Sequence, residues 1–131
     1  MQNQGSGASR TFVACDDDRI AGYYALAAGA IAPDAATGRF RRNMPDPVPV
    51  AVLGRLAIDK AYQGRGLGRA LFRDAALRVQ VAAESIGIRG MLVHAISEEA
   101  RAFYLTLGLI ESPLEPMTLM TTVADLKLAS G

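Results

Sequence analysis

The stretch that decides the fold is residues 50–86, VAVLGRLAIDKAYQGRGLGRALFRDAALRVQVAAESI. It begins with a nearly continuous apolar run over residues 50–58, which predicts a strand buried on both faces. Glycines follow at positions 64, 66 and 68. Apolar side chains then recur at helical spacing as far as Gly87, with charged side chains on the other side. The pattern predicts a strand, a glycine-rich loop and an amphipathic helix.

Upstream of this stretch, two short segments predict a hairpin. Residues 11–15 and 19–28 flank the three aspartates at 16–18, whose side chains favour a turn. The second arm is rich in alanine and could form a helix on propensity alone. Alternate prolines at positions 45, 47 and 49 then keep the chain extended.

Downstream, the pattern predicts two more strands and a second helix. Residues 91–95 form a short apolar run, and Ser97 is a good N-cap for a helix that stops at Gly108. Residues 117–123 predict a last strand. The order β-β-loop-β-α-β-α-β predicts one α/β domain, built on a mixed sheet, over residues 1–131.

Composition excludes several classes of protein. Half of the 131 residues are hydrophobic, 21% are charged and the net charge is +1, so the chain is not disordered. The longest apolar run, residues 20–32, is too short to span a membrane, and residues 1–9 lack the apolar core of a secretory signal. The lone Cys15 and the lone His94 cannot supply a four-ligand zinc site. We therefore expect a reduced, cytoplasmic protein without a metal or a membrane contact.

The charge is distributed unevenly. Nine basic residues and three acidic residues lie between positions 39 and 78, although the whole chain is nearly neutral. A local positive potential of this kind recruits anions such as a phosphorylated cofactor or a nucleic acid. Some of these arginines could instead solvate one face of a helix.

The glycine loop is suited to a phosphate group, because glycines let main-chain N–H groups approach an anion and the following helix adds its positive end. It is not a dinucleotide fingerprint: counted from Gly64, the third glycine would stand at Arg69. It is not a Walker A loop either, since no Gly-Lys-Ser/Thr follows. The pattern present is Gln63-x-x-Gly66-x-Gly68.

This pattern resembles the pyrophosphate-binding motif of the GCN5-related N-acetyltransferases, the GNAT family. The resemblance implies an α/β GNAT fold, with a mixed and mostly antiparallel sheet and flanking helices, and acetyl-CoA as co-substrate. It also implies that the loop holds the pyrophosphate and that the preceding strand end offers main-chain groups to the pantetheine arm. The cofactor residues so implied are Leu56, Ala57, Ile58, Gln63, Gly64, Arg65, Gly66, Leu67, Gly68 and Arg69.

The last motif of the family is matched by residues 97–108, SEEARAFYLTLG. Transfer of an acetyl group from a thioester to an amine expels a thiolate, and a positioned phenol can protonate it. The resemblance therefore implies that Tyr104 is the general acid. The alternative is that Phe103 and Tyr104 are both core aromatics. Phe103 is assigned to the core.

Further segments resemble one branch of the family, the acetyltransferase toxins of toxin–antitoxin pairs. The match runs with gaps from about residue 8 to residue 126 and includes residues 22–27, 38–50, 53–59 and 113–119. The resemblance implies acetylation of the free amine of aminoacyl-tRNA, which blocks translation. It also implies a ribbon-helix-helix antitoxin as partner.

The acceptor chemistry is consistent with this branch. The α-amino group of aminoacyl-tRNA is less basic than a free terminus, so much of it is already neutral near pH 7. Such an enzyme needs no strong carboxylate base, and Asp59 and Glu98 are better explained as a turn residue and a helix-dipole residue. An enzyme directed at lysine would need a stronger base.

Four arginines are candidates for contacts with tRNA. Arg39, Arg41 and Arg42 lie in a loop where they could meet phosphates, although a solvated loop is an equal alternative. Arg55 is the only charge in an apolar strand, so we expect it to face the acceptor cleft or a carboxylate. His94 could touch substrate, but a hydrogen-bonded structural histidine is the commoner case.

The chain departs from the family at its beginning. About ten polar residues precede the hairpin, where the family has a strand and one or two helices that form a wall of the acceptor site. The expectation is a shortened domain, and a homodimer could cover its exposed apolar surface. Two alternatives stay open: acetylation of a small amine or a protein amine, and a non-catalytic acyl-CoA-binding module.

Overall fold

The computed structural model describes residues 3–4, 9–38 and 45–130, with side chains for 9–38 and 45–126. The strands in these ranges are β1 (Asn3–Gln4), β2 (Ser9–Asp16), β3 (Arg19–Ile31), β4 (Val48–Ile58), β5 (Gly90–His94), β6 (Ile110–Glu111) and β7 (Thr118–Thr122). The α-helices are α1 (Leu67–Ile86), α2 (Glu98–Thr106) and α3 (Val123–Ser130). Short 3-10 helices lie at Pro33–Ala35 and Lys60–Tyr62.

The strands form one mixed sheet in the order β1-β2-β3-β4-β5-β7-β6. Only β4 and β5 pair in parallel, and the other neighbours are antiparallel. A parallel pair needs a long crossover, which the glycine loop and α1 supply. The prediction of a mixed, mostly antiparallel sheet with flanking helices is therefore confirmed.

The two faces of the sheet are covered differently. On the first, which we call the helix side, the central strands pack against α1, α2 and α3 in a core that includes Tyr24, Leu53, Met91, Tyr104 and Leu126. On the second, which we call the opposite face, Val50, Leu92 and Met120 pack with Ile31 and Ala36. Along β4, side chains alternate between the faces, as the geometry of a strand requires.

The structure confirms the predicted hairpin, which β2 and β3 form, and corrects one prediction about β4. The alanine-rich arm is the strand β3 and not a helix, because it pairs along its length with both β2 and β4. Such pairing overrides the helix propensity of alanine. The predicted burial of β4 on both faces holds only for its first half, since residues 54–58 are exposed or half-buried.

The helix α3 is an element that the sequence patterns left unpredicted. The Thr122 hydroxyl accepts a hydrogen bond from the Asp125 main-chain N–H at 3.1 Å, and Leu126 is buried against the core. A threonine followed three residues later by an acidic residue is a helix-start signal that was readable in the sequence. No helix in the described part of the chain is both long enough and apolar enough to cross a membrane.

On the helix side of the sheet, a network of polar side chains joins β3 to α1. The phenol of Tyr24, which is fully buried, donates a hydrogen bond to Asp74 Oδ2, and Arg78 Nε donates to the same oxygen at 3.2 Å. The Arg78 guanidinium lies 4.0 Å from the centre of the Phe12 ring. The hydrogen bond from Tyr24 lowers the pKa of Asp74 in the folded protein. The network holds the middle of α1 against the sheet.

We expect Tyr24→Phe to lower the free energy of unfolding by about 1 kcal/mol near neutral pH, since it removes a hydrogen bond to a half-exposed carboxylate. A pKa that is lower in the folded state gives stability above the unfolded pKa, and this stability is lost as pH falls through the folded pKa. The difference between wild type and variant should therefore narrow as the pH falls below about 3.9, the ordinary pKa of an aspartate, and on through the lower folded pKa. Urea unfolding of both proteins at neutral and at acidic pH measures this difference in the free energy of unfolding. A difference that does not change with pH would contradict the role of Asp74.

Candidate active site

A gap opens in the middle of the sheet where β4 and β5 separate. The two strands pair only from Val50–Gly90 to Leu53–Val93, whereas β4 continues to Ile58. The separation begins at a β-bulge: Leu53 pairs with Leu26 and Arg55 with Ala25, so Gly54 is an extra residue. A bulge bends its strand and increases the local twist, which accounts for the divergence of β4 from β5.

The main chain of β4 is directed into this gap at two of the three predicted pantetheine residues. The Asp59 N–H donates to the Ala21 carbonyl of β3 at 2.8 Å, so the main chain of Asp59 faces β3. Along a strand of an antiparallel pair, successive residues alternate between bonding the partner strand and facing away from it. It follows that Leu56 and Ile58 turn their main-chain groups to the gap and that Ala57 turns its own to β3. The Ile58 carbonyl already accepts a bond from Gln63 Nε2 at 3.2 Å.

The glycine loop between β4 and α1 is built from tight turns. Asp59 Oδ1 accepts the Ala61 N–H at 2.9 Å and so caps the short 3-10 helix, which is a turn role, as predicted. Gly64 and Gly66 have φ values of 80° and 79°, in the left-handed region that favours glycine. Because Gly66 has no side chain to cap α1, the first N–H groups of the helix stay available to an anion.

A cavity of about 270 Å³ lies against the loop. Its lining includes Ile58 at the end of β4, Gly66 and Gly68 in the loop, and Phe103 from α2. A Cβ atom at position 68 would lie 3.4 Å from Phe103 Cζ, so glycine allows α2 to come close. Phe103, assigned to the core, is half-buried and forms part of the cavity wall as well as packing on the core. The sequence pattern did not predict this second contact.

An aromatic side chain supports the outer end of the loop. The guanidinium groups of Arg65 and Arg19 lie 5.4 and 5.6 Å from the centre of the Tyr62 ring. The Tyr62 hydroxyl donates to Asp16 Oδ2 at 2.8 Å, a hydrogen bond that raises the pKa of Tyr62. The charge of Arg65 is thereby held beside Gly64 and Gly66, where it adds to the attraction for an anion.

A second cavity, of about 480 Å³, begins at Gly66 and extends between α1, α2 and α3. Arg69 and Arg73, one helical turn apart on α1, line it together with Thr106 and Leu107. Two guanidinium groups beside an apolar wall can bind a phosphate on the ribose of a nucleotide, whose aromatic base would lie against that wall.

Tyr104 lies on the helix side with its ring enclosed. It is 7% exposed and packs against Phe72 and Phe103, with ring centres 6.3 and 5.4 Å apart. Burial raises the pKa of its phenol, which therefore keeps its proton at neutral pH. The structure gives the hydroxyl no hydrogen-bond partner among the described residues, so the group is both protonated and available to a ligand.

The residues predicted for the acceptor are only partly within the described chain. Arg39, Arg41 and Arg42 lie outside the described residues. Arg55 is exposed, and no carboxylate among the described residues forms an ion pair with it. Since Leu56 and Ile58 pack on the helix side, Arg55 points to the opposite face, at the beginning of the gap.

Two smaller predictions concern helix α2 and metal binding. Ser97 Oγ accepts the Ala100 N–H at 3.0 Å and caps α2, and Glu98 lies in its first turn, 3.7 Å from Arg101. Glu98 thus has the structural role expected of it. Across the described ranges, no three His, Cys, Asp or Glu side chains are grouped so that they could hold a metal ion.

Comparison with known proteins identifies the family. Residues 7–109 match the acetyltransferase (GNAT) domain. The chain is 52% identical over 131 residues to the tRNA-acetylating toxin of Mycobacterium tuberculosis, a match that covers all of this chain and 79% of the relative.

Two solved structures of the toxin AtaT are also similar. One, of AtaT complexed with acetyl-methionyl-tRNAfMet, has a TM-score of 0.85 and 29% identity over 92% of this chain and 75% of the other. The second is a tyrosine-to-phenylalanine mutant of AtaT bound to the C-terminus of the antitoxin AtaR and acetyl-CoA. It has a TM-score of 0.77 and 29% identity, and covers 92% of this chain and 70% of the other. This chain belongs to the GNAT family of acetyltransferases, as its loop motif predicted.

Proposed function

We propose that this protein is an acetyl-CoA-dependent toxin that acetylates the α-amino group of aminoacyl-tRNA and so blocks translation. The observation that carries the proposal is the position of the glycine loop. The loop follows the end of β4, where β4 has already separated from β5. One extended ligand can therefore reach from the loop into the gap. The similarity to a tRNA-acetylating toxin and to AtaT supports the same function.

We propose that acetyl-CoA binds along this path. The main-chain N–H groups of Gly64 to Arg69 hold the diphosphate, as open helix ends and glycine turns do for anions. The gap-facing groups of Leu56 and Ile58 bind the amides of the pantetheine arm, in the way that a neighbouring strand would. Arg69 and Arg73 hold the 3′-phosphate end in the second cavity. When bound, acetyl-CoA supplies an activated acetyl group on a thioester.

Tyr104 is the group best placed to act as acid. Its phenol is protonated and has no partner in the described chain, and its ring packs on Phe103, which lines the first cavity, so we propose that it donates to the sulfur that leaves. The transfer is direct, without a covalent intermediate on the enzyme. The only cysteine, Cys15, is exposed on β2 and is not needed for the reaction.

The acceptor enters from the opposite face. The helix side carries α1, α2 and the cofactor cavities, which leaves the opposite face of the gap open to a second substrate. Arg55 stands at this entrance, and its charge would bind a phosphate of the acceptor stem. Arg39, Arg41 and Arg42 remain predicted contacts, because the segment 32–36 just before them packs on this same face.

The proposal extends to partners and location. An antitoxin with a ribbon-helix-helix domain is the expected protein partner, and AtaT is solved with the C-terminus of its antitoxin. We also propose that residues 1–131 form one domain, that the protein acts in the cytoplasm where aminoacyl-tRNA occurs, and that two copies form a homodimer.

A transfer assay with labelled acetyl-CoA tests this function. The acceptors are a panel of aminoacyl-tRNAs, the same tRNAs without amino acid, a polyamine and a lysine-containing peptide. We expect label on at least one aminoacyl-tRNA and none on the uncharged tRNA. Label on the polyamine or peptide alone would indicate a small-amine or protein acetyltransferase, and binding of acetyl-CoA without any transfer would indicate a binding module.

A further inference from the structure

His94 occupies a position at the gap that the reaction described so far does not use. It follows Val93, the last residue of β5 that pairs with β4. Leu92, two residues earlier, packs on the opposite face, so the His94 side chain also points to that face. Its side chain is exposed. His94 is therefore the first residue beyond the paired segment on β5, Arg55 is the second on β4, and both side chains point to the opposite face of the gap.

The imidazole of His94 is oriented by a second side chain. His94 Nδ1 lies 3.0 Å from Thr118 Oγ1, and Thr118 is buried in β7 directly opposite His94. When Nδ1–H donates to this hydroxyl, Nε2 carries the lone pair. The described residues provide no partner for Nε2. An imidazole held by one nitrogen, with the other directed to an open site, is the arrangement of a proton acceptor.

We infer that His94 accepts the proton of the attacking amine during acetyl transfer, an inference that rests on the proposed function. Tyr104 packs on the helix side, and strand alternation from Leu92 places His94 on the opposite face, so the two side chains lie on different sides of the sheet. The reaction needs a proton donor at the sulfur and a proton acceptor at the nitrogen. The sulfur and the nitrogen lie on different sides of the acetyl carbon, so the donor and the acceptor must also come from different sides.

The step balances with these two groups. The nitrogen of the amine forms a bond to the acetyl carbon, and the bond from that carbon to sulfur breaks. The nitrogen loses one proton to His94 Nε2, and the sulfur gains one proton from the Tyr104 hydroxyl. The products are an amide and a free thiol, and the proton on His94 returns through water to the Tyr104 oxygen.

An imidazole is a sufficient proton acceptor for this amine. The α-amino group of an aminoacyl ester is only weakly basic, so it attacks as the neutral amine and must lose a proton only as the new bond forms. Imidazole exchanges protons readily near neutral pH. His94 can thus act as the base in place of an Asp or Glu side chain.

The test is the substitution His94→Asn, since the asparagine amide nitrogen takes the place of Nδ1 and can keep the bond to Thr118 while Nε2 is lost. We expect kcat with aminoacyl-tRNA to fall at least about tenfold, whereas the Kd for acetyl-CoA changes less than about twofold. Free imidazole in the assay should restore part of the rate. Thr118→Val should lower kcat by a smaller factor, because the imidazole remains but is less well oriented.

Two results would overturn the inference: a kcat for His94→Asn within about twofold of wild type, or a parallel loss of acetyl-CoA affinity and folded protein. The first result would mean that His94 has no part in the reaction. The second would mean that His94 serves only to hold β5 and β7 together. Wild-type protein that acetylates no aminoacyl-tRNA would instead contradict the proposed function, a result that is seen before any variant is made.

Discussion

Tyr104→Phe should lower the rate of acetyl transfer at least about a hundredfold while the affinity for acetyl-CoA stays within about twofold. The substitution removes only the hydroxyl, which is the proton donor for the leaving sulfur. The ring contacts with Phe72 and Phe103 remain, so the cavity wall is kept. Because the hydroxyl has no partner among the described residues, its loss should not lower the free energy of unfolding.

The matched control is Tyr24→Phe, which also removes the hydroxyl of a buried tyrosine. That hydroxyl is bonded to Asp74, so the control should lose stability and keep its rate within about threefold. Single-turnover transfer and urea unfolding of both variants give the comparison. A Tyr104→Phe protein that transfers acetyl at the rate of wild type would remove Tyr104 from the mechanism.

Gly66→Asp should raise the Kd for acetyl-CoA at least about tenfold. A carboxylate at this position lies beside the N–H groups that bind the diphosphate, and it both repels the anion and competes for those donors. Two like charges about 4 Å apart repel by about 4 kcal/mol near a protein surface, and salt reduces this. A tenfold change requires only about 1.4 kcal/mol.

Gly87→Asp is the control for this variant. Gly66 and Gly87 lie at opposite ends of α1, with φ values of 79° and 74°, and a Cβ atom at either position meets nothing within 4 Å. The two substitutions thus introduce similar backbone strain and the same charge. Isothermal titration with CoA should show weaker binding for Gly66→Asp and unchanged binding for Gly87→Asp. The loss of affinity in Gly66→Asp should be smaller in high salt. Equal losses in both variants would mean that the effect is one of stability.

Local patterns were enough to predict most elements of the fold. The helix α1 follows from the spacing of apolar residues after the glycines, and the N-cap of α2 follows from Ser97. The strand β3 was ambiguous, because its alanines favour a helix and only its pairing with β2 and β4 decides otherwise. Tyr24 and Asp74 are 50 residues apart, so their hydrogen bond could not be read from either local pattern.

The site was predictable where it depends on motif and not where it depends on register. The loop from Gln63 to Arg69 was identified from its glycines and the family resemblance. The gap beside it comes from one extra residue, Gly54, whose effect appears only when β3 is paired with β4. The face that Arg55 and His94 share depends on the same register. The separate roles of the neighbours Phe103 and Tyr104 depend on how α2 packs on the sheet.

The proposed function requires that the main-chain N–H groups of the glycine loop bind the diphosphate of acetyl-CoA. The most direct measurement is an amide NMR titration of isotope-labelled wild-type protein with CoA. We expect the largest shifts at the N–H groups of Gly64, Gly66, Gly68 and Arg69, and smaller shifts at Leu56 and Ile58. Saturation with CoA that leaves the loop amides unshifted, and moves those of another surface, would contradict it.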